Sequence, residues 1–131
     1  MSDTPAAPTS KVMLWTGRVL STLPVLLLLM SSVMKLTRGP DIIKGFAEFG
    51  YDSSLLVPIG VVELVCTLLY ILPRTSVLGA ILLTGYLGGA VATHVRAGDG
   101  MFFSPVLIGI VLWLGLYLRD ARLRALVPWK N

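Results

Sequence analysis

The sequence predicts an all-α integral membrane protein: a four-helix up-down bundle with a short interfacial helix in its first loop. Three observations predict it. The 131 residues are 55% hydrophobic and 14% charged, where soluble domains carry about 25% charged residues, and mean hydropathy is +0.82. The apolar residues fall into four blocks, Val12–Met34, Leu55–Leu72, Ser76–Val95 and Met101–Leu118, each about 18 to 23 residues long. A helix needs roughly 20 apolar residues to cross ~30 Å of hydrocarbon. The links "LPRTS" and "RAGDG" are so short that blocks two, three and four must run as antiparallel neighbours. A buried soluble bundle needs polar stripes that most of these helix faces lack.

The elements follow in order. Residues 1–11, "MSDTPAAPTSK", are polar and Pro-rich and read as a disordered tail before the 12–118 bundle. The first block does not read as a cleaved signal peptide, because it is long, contains Arg18 and is followed by no A-x-A site. Pro24 and Pro58 fall within spans one and two and are expected to kink them, whereas Pro105 suits the start of span four. In the first loop, Ile42, Ile43, Phe46 and Phe49 recur at helical spacing with Asp41, Lys44 and Glu48 between them. Pro40 marks a start and Gly50 a stop, so an amphipathic helix is expected at about 40–49. It either anchors the bundle to the headgroups or covers the outer mouth. The tail 119–131 is basic with an apolar stripe, expected to lie on the anionic inner leaflet with Trp129 among the headgroups.

Net charge is +4, which in a membrane chain reflects topology before it suggests nucleic acid. Lys11, Arg18, Arg74, Arg119, Arg122, Arg124 and Lys130 fall on one side of the four spans. Lys35, Arg38, Lys44 and Arg96 fall on the other. This excess places both termini in the cytoplasm of a multi-pass bacterial inner-membrane protein. The lone cysteine, Cys66, excludes a self-contained dithiol couple and reads as a small buried hydrophobe.

A charged side chain at mid-bilayer costs about 2.5–3.5 kcal/mol, so such residues face the interior and find partners. Glu63, Cys66, Thr67 and Tyr70 share one face of span two. From depth along the helices, Glu63 is expected to meet Arg18 of span one and the Tyr86 hydroxyl of span three. The cluster is either an internal clasp that fixes helix register or a proton-coupled or ligand-binding carboxylate. Arg18, Ser21, Thr22 and Ser32 are expected on one inward face. Lys35 ends span one and reads as snorkelling to the headgroups, and His94 ends span three as an interfacial histidine. The sharper alternative is an outer polar pocket of Lys35, Glu48 and His94. No metal site is expected, since no second histidine or thiol stands at ligand spacing. Gly85 with Gly89, and Gly88 with Ala92, are spaced for close helix approach. That approach is expected inside the bundle, placing span three at its centre, with a homodimer contact as the alternative. Gly79, Gly109 and Gly115 extend the pattern.

The order of these features resembles the DoxX-like family of small four-helix bacterial membrane proteins. The resemblance rests on Lys35–Leu36 closing span one, Gly60 then Glu63 in span two, and Gly85, Tyr86, Gly89, Ala90, Thr93 and His94 in span three. It covers roughly residues 12–118 and implies the fold and a membrane location. Family members carry labels that associate them with quinones and membrane oxidoreductases. The sequence has no heme-attachment motif, Rossmann fingerprint or cysteine pair, so no catalytic residue is assigned and no cofactor is evident beyond a quinone. The reading leans to a non-enzymatic protein that binds a small apolar ligand, quinone or lipid, or serves as an accessory subunit of a membrane complex. The alternatives are a small proton-coupled transporter using Glu63 and a subunit of a membrane oxidoreductase. Expected partners are the lipid bilayer, another membrane protein such as an oxidoreductase, and a second copy of the chain; nucleic acid is not expected.

Overall fold

The computed structural model describes residues 9–127; the expected tail over 1–8 and the headgroup contact of Trp129 lie outside the described residues. Helix α1 spans Lys11–Thr37, with Ser10 as its N-cap accepting from the Met13 N–H at 3.2 Å. Ser10 and Lys11 therefore belong to the cap and the helix rather than to a disordered tail. The amphipathic helix of the first loop is α2, Pro40–Glu48. A short 3₁₀ turn, Ser53–Leu55, leads into α3, Leu56–Ile71. Then come α4, Ser76–Ala97, α5, Phe103–Arg119, and the short α6, Ala121–Leu126.

Helices α1, α3, α4 and α5 form a ring in chain order: α1 packs on α3 and α5, and α4 packs on the same two. This is the expected up-down bundle, but span three is one stave among four and not its centre. Lys11–Thr37, Ser53–Ile71 and Ser76–Ala97 are long and apolar enough to cross a membrane. The fourth apolar helix, α5, has 17 residues, at the lower end of the ~17–25 that spanning helices use. Arg124 of α6 donates to the Thr9 hydroxyl at 2.7 Å, so the two ends of the described chain meet at one end of the bundle.

The distribution of side chains is that of a protein in lipid. Leu28, Leu83, Leu112, Leu116 and Tyr70 fill the interior, and Ser21, Ser32, Glu63, Thr67 and Ser76 are buried with them. Large apolar side chains such as Leu23, Leu27, Val61, Val65, Ile81 and Ile110 face outward. Hydroxyls inside bond to helix carbonyls: Ser21 to Gly17, Thr67 to Glu63, and Ser76 to Tyr70 and Leu72, each at 2.7–2.8 Å. Among the described residues no buried side-chain polar atom lacks a partner, as a medium without water requires.

Close helix approach occurs at Gly79 and Gly115, as expected, and at Gly17 and Gly60, but not at Gly85, Gly88 or Gly89. Gly79 abuts the backbone of Leu69 and Tyr70 across the α3–α4 turn. A Cβ on Gly17 of α1 meets the Gly115 carbonyl of α5 at 2.6 Å, and a Cβ on Gly115 meets Ser21. Gly60 faces the Lys35 Cβ, 3.0 Å from where its own Cβ sits. Around Gly85, Gly88 and Gly89 a Cβ meets nothing within 4 Å, so the expected packing of this stripe inside the bundle is overturned. Pro58 is likewise corrected: it is the third residue of α3, in the first turn, where a proline fits without breaking the body of the helix. Pro24 lies inside α1 on its buried face.

Candidate functional site

Lys35, Glu63, Tyr86 and His94 gather toward the end of the bundle opposite the termini. Glu63 is 1% exposed and its Oε1 lies 3.1 Å from the Lys35 Nζ. The same ammonium donates to the Ser31 hydroxyl at 2.6 Å. Glu63 shares its inward face with Gly60, Cys66, Thr67 and Tyr70, all buried, as the spacing predicts. The Tyr86 hydroxyl of α4 stands beside the Glu63 carboxylate and interacts with it.

The partner of Glu63 is therefore Lys35 and not Arg18. Helix side chains lean toward the N-terminus of their own helix. For Lys35, at the C-terminal end of α1, that direction runs into the bundle, and the stem lies over the preceding turn to Ser31. Snorkelling away from the bundle is the reading this overturns. For Arg18, near the start of α1, the same lean runs out toward the termini end, where the side chain is exposed and its guanidinium lies 5.1 Å over the Trp15 ring. Thr22 is exposed with it, so only Ser21 and Ser32 of the expected inward face are buried.

Beside Lys35 lies a cavity of about 320 Å³. Its α4 wall is made by Tyr86, Gly89, Ala90, Thr93 and His94, which at spacings of three and four form one helix face. Here the glycine has a second use: with no side chain at Gly89 and only a methyl at Ala90, the space stays open. Lys35 and Ile59 line the opposite side. Phe46 of α2 and Phe49 just after it line it as well, so the first-loop helix stands over this mouth. Glu48 is exposed and does not line the cavity; the expected trio of Lys35, Glu48 and His94 loses that member.

The cover is fastened to α4 by several contacts. The Tyr51 and Thr93 hydroxyls share a hydrogen bond of 2.6 Å. Arg96 donates to the Phe49 carbonyl and lies 5.6 Å over the Tyr51 ring. Phe49 meets the His94 ring edge-on at 5.1 Å. His94 Nδ1 is 2.7 Å from Asp99 Oδ2. In the turn after α4, the Met101 N–H bonds to Asp99 and, with His94, holds its carboxyl below the usual carboxylate range. Gly98 ends α4 with φ +68° and donates its N–H to the His94 and Val95 carbonyls. A cover formed by the Phe46–Phe49 helix was one of the two sequence readings of this segment; its Tyr51–Thr93 fastening was not read from the sequence. No group of three or more metal-ligating side chains occurs among the described residues.

No curated protein and no solved structure shows a significant match to the chain. A family model, that of the DoxX-like family, matches residues 19–116. The matched stretch holds every wall of the cavity, from Lys35 to His94, all of α3 and α4, and most of α1 and α5. The chain belongs to the DoxX-like family.

Proposed function

We propose that this membrane protein binds a small apolar molecule with a polar head, of the quinone or lipid class, in the cavity beneath α2, as a non-enzymatic binding or accessory subunit of a membrane complex. One observation carries the reading: five residues of one α4 face, two of them as small as Gly89 and Ala90, line a half-open space that Lys35 of the ion pair also lines. The volume is at the low end of the ~300–1,000 Å³ usual for ligand pockets, enough for a ring-sized head whose tail continues between helices. Lys35 has three N–H donors; Ser31 and Glu63 take two, leaving one for a ligand oxygen. Phe46, Phe49 and Ile59 supply apolar contact. The ion pair counts against the transporter reading, in which Glu63 must take up and release a proton without a fixed partner. A location in the bacterial inner membrane with cytoplasmic termini is supported by the excess of lysine and arginine at the termini end.

Ala90→Leu tests the reading, because it fills the cavity without touching the ion pair. Quinone and lipid extracted from the purified protein are measured by mass spectrometry, and binding of a short-tailed quinone is titrated in nanodiscs. Stoichiometric ligand in the wild type, lost in a folded Ala90→Leu protein, supports the proposal. Equal ligand in both proteins refutes it.

A further inference from the structure

A second cavity, of about 600 Å³, opens between α1 and α3 at the termini end, remote from the site above and independent of its reading. Arg18, Arg119, Ser21 and Thr22 give it polar groups. Arg119 is held in place: its Nε donates to the Ser21 hydroxyl at 3.1 Å and its guanidinium lies 5.0 Å over the Tyr70 ring. Tyr70 is itself fixed by donating to the Leu112 carbonyl at 2.6 Å. Arg18 is stacked on Trp15. The ion pairs among the described residues, Lys35–Glu63 and His94–Asp99, are both at the other end; no carboxylate among those residues pairs with either arginine. The remaining wall is apolar, with Val25 one turn deeper than Ser21 and Ile71 across from it. Trp15 and Ile71 are exposed on the outer surface of their helices, so the cleft opens sideways toward lipid.

Two guanidinium groups that form no ion pair among the described residues, at the head of an apolar strip that faces lipid, match a phosphate oxyanion joined to an acyl chain. We propose that this cleft binds the phosphate of an anionic membrane phospholipid. Arginine presents five donors in a planar fork suited to phosphate. Stacking on Trp15 and Tyr70 pre-orients both forks, so less side-chain freedom is lost on binding. Free phosphate offers the same oxyanion but nothing for Val25 and Ile71. A zwitterionic lipid brings a cation that two arginines repel.

The test is native mass spectrometry of the full chain, with phosphatidylglycerol, phosphatidylcholine and inorganic phosphate as the probes. Phosphatidylglycerol is expected to be retained over phosphatidylcholine and not displaced by inorganic phosphate. Arg18→Gln and Arg119→Gln are each expected to weaken retention by about fivefold, the effect of removing ~1 kcal/mol of attraction per basic side chain. Arg122→Gln, an exposed arginine at the same end but outside the cleft, is expected to change nothing. Arg119→Gln also loses a bond to Ser21 and is the variant at risk of misfolding; Arg18→Gln removes an exposed side chain and keeps the test decisive. Equal retention of the two lipids, displacement by inorganic phosphate, or an Arg18→Gln protein that matches the wild type overturns the proposal.

Discussion

The Lys35 ammonium reaches the buried Glu63 carboxylate at 3.1 Å from the C-terminal end of its helix, and the Gly60–Lys35 approach is what lets it do so. With no Cβ on Gly60, the last turn of α1 lies directly against α3, 3.0 Å from a Cβ built there. The lysine stem runs back along α1, and its ammonium bonds to Ser31 and across to Glu63. Glycine, lysine and glutamate thus form one unit, in which the glycine supplies the proximity and the charges the pairing.

Removing one charge leaves the other buried and alone, at a cost of about 3–5 kcal/mol. Lys35→Met and Glu63→Leu are each expected to lower folded yield and thermal midpoint sharply. The double replacement is expected to recover most of the loss, since an apolar pair of similar volume suits this interior. A thermal-melting cycle by fluorescence-detected size exclusion measures it. Additive losses in the double variant are the result that rules out a coupled pair.

The glycines divide into two groups by what they face. Gly79→Ala and Gly115→Ala push a methyl into the backbone of Tyr70 and the side chain of Ser21, and overpacking of this kind costs about 1–3 kcal/mol. Gly85→Ala adds a methyl where nothing lies within 4 Å and improves helix propensity by up to ~1 kcal/mol. The first two are expected to lower the melting temperature and the third to hold or raise it. Melting of the three variants in one detergent checks the order; a destabilised Gly85→Ala reveals a partner on that face.

Much of the fold was legible because lipid imposes long apolar blocks, and Pro40 and Gly50 bracketed α2 correctly. The inward face of α3 was also legible, since Glu63, Cys66, Thr67 and Tyr70 repeat at three and four residues. Depth along the helix was a poorer guide to pairing. Depth put Arg18 beside Glu63 and left Lys35 at the outer boundary, and what reverses the two is the lean of side chains toward the helix N-terminus, which turns Lys35 inward and Arg18 outward. The stripe around Gly85 and Gly89 was ambiguous for a different reason. Small residues suit a neighbouring helix or an empty space equally well, and only the position of Phe46 and Phe49 over Gly89 decides between them. Gly17 went unread because one glycine in a leucine-rich helix makes no spacing pattern.

Asp99 and Asp52 provide pH markers outside the spans. The Met101 N–H, and after it His94, hold the Asp99 carboxyl below its ordinary value of 3.8; the Ser54 N–H and hydroxyl do the same for Asp52. A lowered folded value means that the stabilising contribution is present above the unfolded value and lost as pH falls through the folded one. The turns at 99–101 and 52–54 are therefore expected to hold at neutral pH and to loosen only below about 3.8. Carboxyl carbon NMR titration checks this. His94→Ala is expected to move Asp99 only part of the way back, because the Met101 N–H is the larger cause; full return to 3.8 contradicts that ranking.

The cover over the cavity rests on Tyr51–Thr93, on Arg96 to the Phe49 carbonyl, and on the Phe49–His94 edge contact. None of these touches the Lys35–Glu63 pair, so the cover can be loosened while the pair stays intact. One hydrogen bond contributes about 0.5–1.5 kcal/mol, so removing one raises the open population roughly two- to tenfold. Arg96→Gln and Tyr51→Phe are each expected to speed labelling of a cysteine at position 90 by a water-soluble maleimide by that factor, with an unchanged melting temperature. Cys66 is 6% exposed and serves as the slow internal reference in the same chain. Labelling at position 90 that is already fast in the wild-type background, and insensitive to both substitutions, shows that α2 rests on the bundle end without closing the cavity.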